Sequence, residues 1–139
     1  MMFLLDTNVV SELRKIGDGK ADERVARWAA AHQASAFYLS AITVLELEIG
    51  ILLLERKDVD QGARLRSWLE QQVLPEFAPR ILPIDTAVVL RCARLHVPDP
   101  RSERDALIAA TALVHGLTVV TRNRKDFEPT DVTILDPWR

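Results

Sequence analysis

The chain has 139 residues, of which 48% are hydrophobic and 27% are charged, and its formal net charge is −2. This composition predicts one globular domain over residues 1–139 and excludes a globally basic nucleic-acid binder, so a polyanionic partner would need local basic groups or a metal ion. One cysteine, no signal peptide and no apolar run of membrane-spanning length together predict a soluble cytoplasmic protein without a disulfide.

The first predicted element is a short apolar run at the N-terminus. Residues 2–5 are apolar without alternation, which favours a strand buried on both faces of a parallel sheet. The run ends at Asp6, so this strand carries a carboxylate to the edge where open α/β sheets bind ligands. We expect Thr7 or Asn8 to begin the helix that follows.

Helices and short apolar runs then alternate along the chain. Further strands are predicted over residues 36–39, 81–84, 117–120 and 132–135. Further helices are predicted over residues 22–32, 43–56, 58–74, 86–95 and 103–115, with a charged loop over 122–131. This alternation predicts a three-layer α/β/α sandwich around a mainly parallel sheet of roughly five strands.

Polar residues end four of the predicted strands. They are Asp6, Ser40, Asp85 and Thr121. Parallel topology brings such residues to one edge of a sheet, where ligands bind. Serine, threonine and aspartate are also the preferred residues before a helix that follows a strand, and capping alone explains about half of this pattern.

Glu46 lies within the very apolar helix segment T-V-L-E-L-E-I-G-I-L-L-L. Helical spacing places it on one stripe with Ile42, Ile49, Gly50 and Leu53, so the pattern predicts a carboxylate on the core face. An unpaired buried carboxylate is costly or has a raised pKa. The alternatives are that Glu46 pairs with an arginine or lies at a dimer surface.

Asp105 lies in the first turn of the helix predicted over residues 103–115. It shares a stripe with Ile108, Ala109 and Ala112, which predicts that it faces inward, toward the strand ends. The alternative is structural, because Ser102 and Asp105 have the spacing of a capping box and an acid in a first helical turn interacts favourably with the helix dipole.

The segment T-R-N-R-K-D-F follows the fourth predicted strand. Thr121 and Asn123 should leave the sheet at the same edge as Asp6. The alternative is that Asn123 forms a simple turn and that Asp126 forms an Asx-type bend.

Three acids from separate elements, Asp6, Glu46 and Asp105, are expected to converge on one crevice together with Asn123. Without a matching buried lysine or arginine, these carboxylates repel one another unless a divalent cation binds. Oxygen ligands suit Mg²⁺ or Mn²⁺ rather than zinc, and Mg²⁺ held by few carboxylates commonly binds phosphate oxygens. The residues therefore predict phosphoryl or phosphodiester chemistry.

Four segments resemble the PIN-domain family, and within it the VapC-type and FitB-like toxins of bacterial toxin–antitoxin modules. They are D-T-N-V at 6–9, S-A-I-T-V-L-E-L-E-I-G at 40–50, D-A-L-I-A-A-T-A-L at 105–113 and T-V-V-T-R-N at 118–123. The resemblance implies a metal-dependent endoribonuclease that uses one or two Mg²⁺ or Mn²⁺ ions. The implied metal ligands are Asp6, Glu46, Asp105 and Asn123, and the implied supporting residues are Asn8, Thr121 and Asp126. The family often has an aspartate at the position of Asn123, so either Asn123 or Asp126 completes the site.

The expected reaction is hydrolysis of an unpaired RNA phosphodiester by metal-activated water, with Glu46 holding or deprotonating the nucleophile. The basic residues expected to contact RNA phosphates flank the two strand-end loops and are Arg101, Arg104, Arg122, Arg124 and Lys125. A solvated charged surface explains them equally well. The resemblance also implies a homodimer or higher assembly and a small antitoxin protein, with no membrane.

Two other functions fit parts of the sequence. One is a catalytically weak PIN-like subunit that acts mainly in an antitoxin-bound DNA-regulatory complex. The other is a phosphoacceptor signalling module built on Asp6, Thr121 and Lys125. Asp6 has no second acid beside it, and a phosphoacceptor has no use for Glu46 inside an apolar helix, so the sequence favours the nuclease.

Overall fold

A sheet of five parallel strands forms the centre of the molecule, in the order β3-β2-β1-β4-β5, in a computed structural model that describes residues 1–139. The strands are β1 (Phe3–Leu5), β2 (Phe37–Ser40), β3 (Ile81–Leu82), β4 (Thr118–Val120) and β5 (Ile134–Leu135). The predicted five-stranded parallel sheet is therefore confirmed, and β1 lies in its middle.

Eight α-helices connect and cover the strands. They are α1 (Thr7–Arg14), α2 (Glu23–Ala30), α3 (Ala41–Lys57), α4 (Val59–Trp68), α5 (Leu74–Phe77), α6 (Thr86–Leu95), α7 (Glu103–His115) and α8 (Arg124–Phe127). The predicted bounds of α6 and α7 are confirmed. Gly116 ends α7 with φ of +67°, a left-handed conformation that glycine adopts without steric cost. No helix combines the length and apolar character needed to cross a membrane.

The helices form two layers, one on each face of the sheet. Phe3 and Leu5 of β1 point to one face, where they join a core with residues of α1, α2, α3 and α4, while Leu4 points to the other. On that second face Ile108 of α7 and Phe127 of α8 pack on Leu4, and α6 covers the outer side of α7. This arrangement confirms the predicted α/β/α sandwich.

The chain passes from β1 directly into α1 at Asp6. The backbone amide of Asp6 still pairs with the carbonyl of Val120 in β4 at 2.9 Å, while its carbonyl accepts the first hydrogen bonds of α1. Asp6 is therefore the N-cap of α1, and the prediction that Thr7 or Asn8 begins this helix as its cap is wrong. A central strand thus delivers a carboxylate to the carboxyl edge of the sheet.

The structure corrects three further predictions. Asp85 follows an exposed-edge strand and caps α6 by accepting a hydrogen bond from the amide of Val88, so it does not join the acids at the sheet edge. The fourth helix does not stop at Pro75, because a π-helical turn (Leu69–Val73) leads into α5, where proline at the start of a helix loses no hydrogen bond. The predicted loop 122–131 contains α8, because buried Phe127 anchors it to the core.

Candidate functional site

Asp6 is the buried centre of a polar cluster at the carboxyl edge of the sheet, with 6% of its surface exposed. Its Oδ1 accepts a hydrogen bond from the amide of Thr7 at 2.9 Å. Its Oδ2 accepts from Thr121 Oγ1 at 2.8 Å and from Asn8 Nδ2 at 3.2 Å. Burial raises the pKa of Asp6 above its ordinary value and the charge of Glu46 adds to this, although the three hydrogen bonds oppose the rise.

Asn8 and Thr121 fix the orientation of Asp6 by linking the two segments that leave the sheet. The side-chain carbonyl of Asn8 accepts a hydrogen bond from the amide of Arg122 at 3.1 Å. The hydroxyl of Thr121 accepts from the amide of Asn123 at 3.0 Å while it donates to Asp6. The segments that follow β1 and β4 are thereby held together, as expected of two supporting residues.

Glu46 lies at the edge of the site and not on the core face of α3. The buried stripe of α3 is Thr43, Leu47 and Ile51, whereas Leu53 is 60% exposed. The predicted stripe of Glu46 was therefore wrong, because a helix that is apolar almost all round does not show which side faces the core. The side chain of Glu46 is 25% exposed, so it meets both solvent and the polar cluster.

Thr7 connects Glu46 to the end of β1, a role that the sequence did not reveal. Its hydroxyl donates a hydrogen bond of 2.6 Å to Glu46 Oε1, across 39 positions of the chain. Its backbone amide donates to Asp6, so one residue contacts both acids. The only signal was its place between Asp6 and Asn8, where threonine was interpreted as a helix cap.

Arg104 is the one basic side chain that lies within 4 Å of an acid of this cluster. Its Nη1 is 3.7 Å from Glu46 Oε2, and the side chain is 51% exposed. This contact realises the alternative in which Glu46 pairs with an arginine, although the partner is not buried. Arg101, also expected to bind phosphate, is half-buried, and its backbone amide donates to Nδ1 of His96.

Asp105 projects from the first turn of α7 into the field of the other acids. Burial is the largest cause that raises its pKa to about 6, and the charges of Asp126, Asp6 and Glu46 raise it further. The nearby hydroxyl of Ser102 lowers it, but Ser102 makes no side-chain capping bond to the helix. The capping-box alternative therefore lacks its serine half, and Asp105 is electrostatically part of the cluster.

Asn123 and Asp126 occupy the turn that leads from β4 into α8. Asn123 is exposed and precedes α8 without a side-chain capping bond, and its carbonyl accepts a hydrogen bond from the amide of Asp126. Among the neighbouring charges, that of Asp126 raises the pKa of Asp105 most. Both residues therefore lie beside the cluster, and the structure brings a fourth carboxylate to it.

The donors in this cluster match the chemistry of a hard divalent cation. They are carboxylate, amide and hydroxyl oxygens, and the acids raise one another's pKa, which means that they lack a compensating positive charge. No three histidine, cysteine, aspartate or glutamate side chains are grouped closely enough to hold an ion between them. The acids are thus collected at one edge, and their donor chemistry fits Mg²⁺ or Mn²⁺.

The remaining predicted phosphate contacts lie around the segment after β4. The guanidinium of Arg122 is 5.2 Å from the ring centre of Trp138, a cation–π contact. Arg124 Nε lies 3.9 Å from Glu128 Oε1. Lys125 is exposed. These side chains leave a positive rim beside the acidic cluster.

The largest cavity of the molecule, about 750 Å³, lies away from these acids. It is a groove between α1 and the α4–α5 region. Its apolar lining includes Val10, Leu13, Ile16, Trp68 and Phe77. An apolar groove without catalytic groups is suited to a partner segment and not to phosphoester chemistry.

A parallel α/β/α sandwich with acids at the carboxyl edge of its sheet defines the class, and the chain belongs to the PIN domain family, which matches residues 3–132. It is 42% identical to Toxin FitB of Neisseria gonorrhoeae, across 99% of both chains. It is 38% identical to the VapC ribonuclease Y4jK of Sinorhizobium fredii, across 99% of this chain and 98% of the relative. The crystal structure of FitAcB from Neisseria gonorrhoeae superposes with a TM-score of 0.88, at 40% identity and with 99% of each chain covered.

Proposed function

We propose that this protein is the toxin of a toxin–antitoxin pair and that it is a Mg²⁺-dependent endoribonuclease, with the whole chain, residues 1–139, as one nuclease domain acting in the cytoplasm. The observation that carries the proposal is the cluster of acids whose charges act on one another at the sheet edge, with one exposed arginine as the only cation in contact. The similarity to a toxin and to a VapC ribonuclease supports the same conclusion.

Asp6, Asp105 and Glu46 would hold the metal, and Asn123 or Asp126 would complete the site for one or two ions. A bound Mg²⁺ or Mn²⁺ lowers the pKa of a coordinated water and neutralises charge on the scissile phosphate. Because Asp6 is fixed by Thr121 and Asn8, its carboxylate needs no reorganisation before the reaction.

Glu46 is the residue that handles the attacking water in this proposal. Thr7 occupies Oε1 by a hydrogen bond, which leaves Oε2 to hold the water or to accept its proton. In-line attack on the phosphorus then gives a 5′-phosphate and a 3′-hydroxyl. The positive rim of Arg122, Arg124 and Lys125 would contact the RNA phosphates on either side.

The partner surfaces in this proposal are apolar. The groove between α1 and α4–α5 would receive an apolar segment of the antitoxin. Leu45, Leu52 and Leu53 of α3 and Val59 of α4 are exposed, which is costly in water and fits a homodimer or a higher assembly.

The test is Mg²⁺-dependent cleavage of a panel of unstructured and hairpin RNAs by the purified protein. Asp6→Asn keeps the volume and hydrogen-bonding shape of the side chain but removes its charge, so cleavage should be lost while the circular dichroism spectrum is kept. Asp60→Asn, an exposed acid in α4, is the matched control and should cleave like the wild type. Full activity of Asp6→Asn, or cleavage that persists in EDTA, would contradict the proposal.

A further inference from the structure

Arg104 stands out because it brings a positive charge to a cluster that is otherwise negative. It lies beside Asp105 in the first turn of α7, and its Nη1 is 3.7 Å from Glu46 Oε2. No other lysine or arginine lies within 4 Å of a carboxylate oxygen of Asp6, Glu46, Asp105 or Asp126. The single local counter-charge therefore belongs to the chain itself.

The two oxygens of Glu46 have different partners. Oε1 accepts a short hydrogen bond of 2.6 Å from Thr7, which fixes the carboxylate. Oε2 has no hydrogen-bond donor and faces Arg104 at a distance too long for a hydrogen bond. The oxygen that remains for a metal ion or a water is thus the one that Arg104 approaches.

We propose that Arg104 is an internal counter-ion that competes with the divalent ion at Glu46 and is displaced when that ion binds. The inference rests on the proposed function, since it requires a divalent ion at the acidic cluster. Two cationic groups cannot share Oε2 without strong repulsion, because like charges a few ångströms apart in a partly dry site interact unfavourably. Arg104 therefore weakens metal binding.

The contact is built to be exchanged. The side chain of Arg104 is 51% exposed and makes no hydrogen bond with the protein, so it can move into solvent at little cost. An exposed ion pair contributes little stability. Once released, the guanidinium remains at the lip of the site, where its planar donors suit a phosphate group. Metal binding would then free a phosphate-binding group at the place where RNA enters.

A simple surface arginine makes a different prediction. If Arg104 were only a solvated charge, its removal would change metal affinity no more than removal of any other cation of the rim. If it helped to assemble the metal site, its removal would weaken metal binding. Only a competitor at Glu46 gives tighter binding that also depends on the carboxylate of Glu46.

The experiment is a calorimetric titration of the full-length protein with Mn²⁺, without RNA. Arg104→Gln should bind Mn²⁺ about three- to fivefold more tightly than the wild type, the range expected for loss of an exposed ion pair. Lys125→Gln removes the same charge from the rim without a contact to Glu46 and should change the affinity less than about twofold. In a Glu46→Gln background, Arg104→Gln should have no further effect.

Three results would overturn the inference: unchanged or weaker Mn²⁺ binding by Arg104→Gln, an equal gain in Lys125→Gln, or a gain that survives in the Glu46→Gln background. Asp6→Asn separates this inference from the proposed function. If the wild type and Asp6→Asn bind Mn²⁺ equally, or no variant binds it, the proposed metal site fails and the role of Arg104 fails with it. If Asp6→Asn alone loses Mn²⁺ while Arg104→Gln equals the wild type, only the role of Arg104 fails.

Discussion

Asp105→Asn is expected to stabilise the metal-free protein at neutral pH, although it removes a residue of the active site. Burial and neighbouring charges raise the pKa of Asp105 from 3.8 to about 6. A difference of about 2 units corresponds to at most about 3 kcal/mol, and solvent screening of this partly exposed group reduces the expected effect to about 1 kcal/mol. Because the pKa is raised in the folded state, the stability linked to Asp105 is complete below its ordinary pKa and is lost as pH rises through about 6.

Urea unfolding in EDTA at several pH values measures this effect. Between acidic and neutral pH, the wild type should lose about 1 kcal/mol of unfolding free energy relative to Asp105→Asn. Addition of Mg²⁺ should then stabilise the wild type but not the variant, because an ion that binds the folded state shifts its unfolding equilibrium. Asp60→Asn should follow the wild type throughout. The reasoning is refuted if Asp105→Asn is less stable than the wild type in EDTA at neutral pH, or if their difference does not change with pH.

Two further predictions concern single contacts. Thr7→Val removes the hydroxyl that orients Glu46, so cleavage should slow by about tenfold, as expected for a hydrogen bond to a charged group, while Thr7→Ser should retain activity; equal rates for both variants would contradict this role. Gly62→Ala should destabilise the protein by about 1–3 kcal/mol in urea unfolding, because its Cβ would lie 2.7 Å from the backbone of Glu55. Gly50→Ala, with open space around it, should instead stabilise the helix by about 0.5–1 kcal/mol, and a loss in that variant would refute the packing argument.

Most of the fold could be predicted because its signals are local. The uninterrupted apolar runs marked strands buried on both faces, and Gly116 marked the end of α7. Pro75 misled because its effect depends on what precedes it: after a π-helical turn it begins a new helical segment. The segment with α8 looked like a loop because Phe127 is its only core residue, and one buried side chain gives no periodic pattern.

The candidate site was predicted in part for a similar reason. Parallel topology requires the ends of β1 and β4 to meet, so Asp6 and Thr121 could be placed together before their contact was known. The orientation of α3 could not be predicted, because its apolar residues surround it almost completely, and Glu46 was therefore assigned to the wrong face. The contacts of Thr7 and Arg104 with Glu46 join distant parts of the chain, and no local pattern encodes them.

The central claim is that the acids at the carboxyl edge of the sheet bind a divalent metal ion. The most direct measurement is a crystal structure of the protein soaked in Mn²⁺, with anomalous diffraction to locate the ion. The account predicts an anomalous peak in contact with the carboxylates of Asp6 and Asp105. A fully soaked crystal with no peak at these carboxylates, or with Mn²⁺ held only by residues elsewhere, would contradict it.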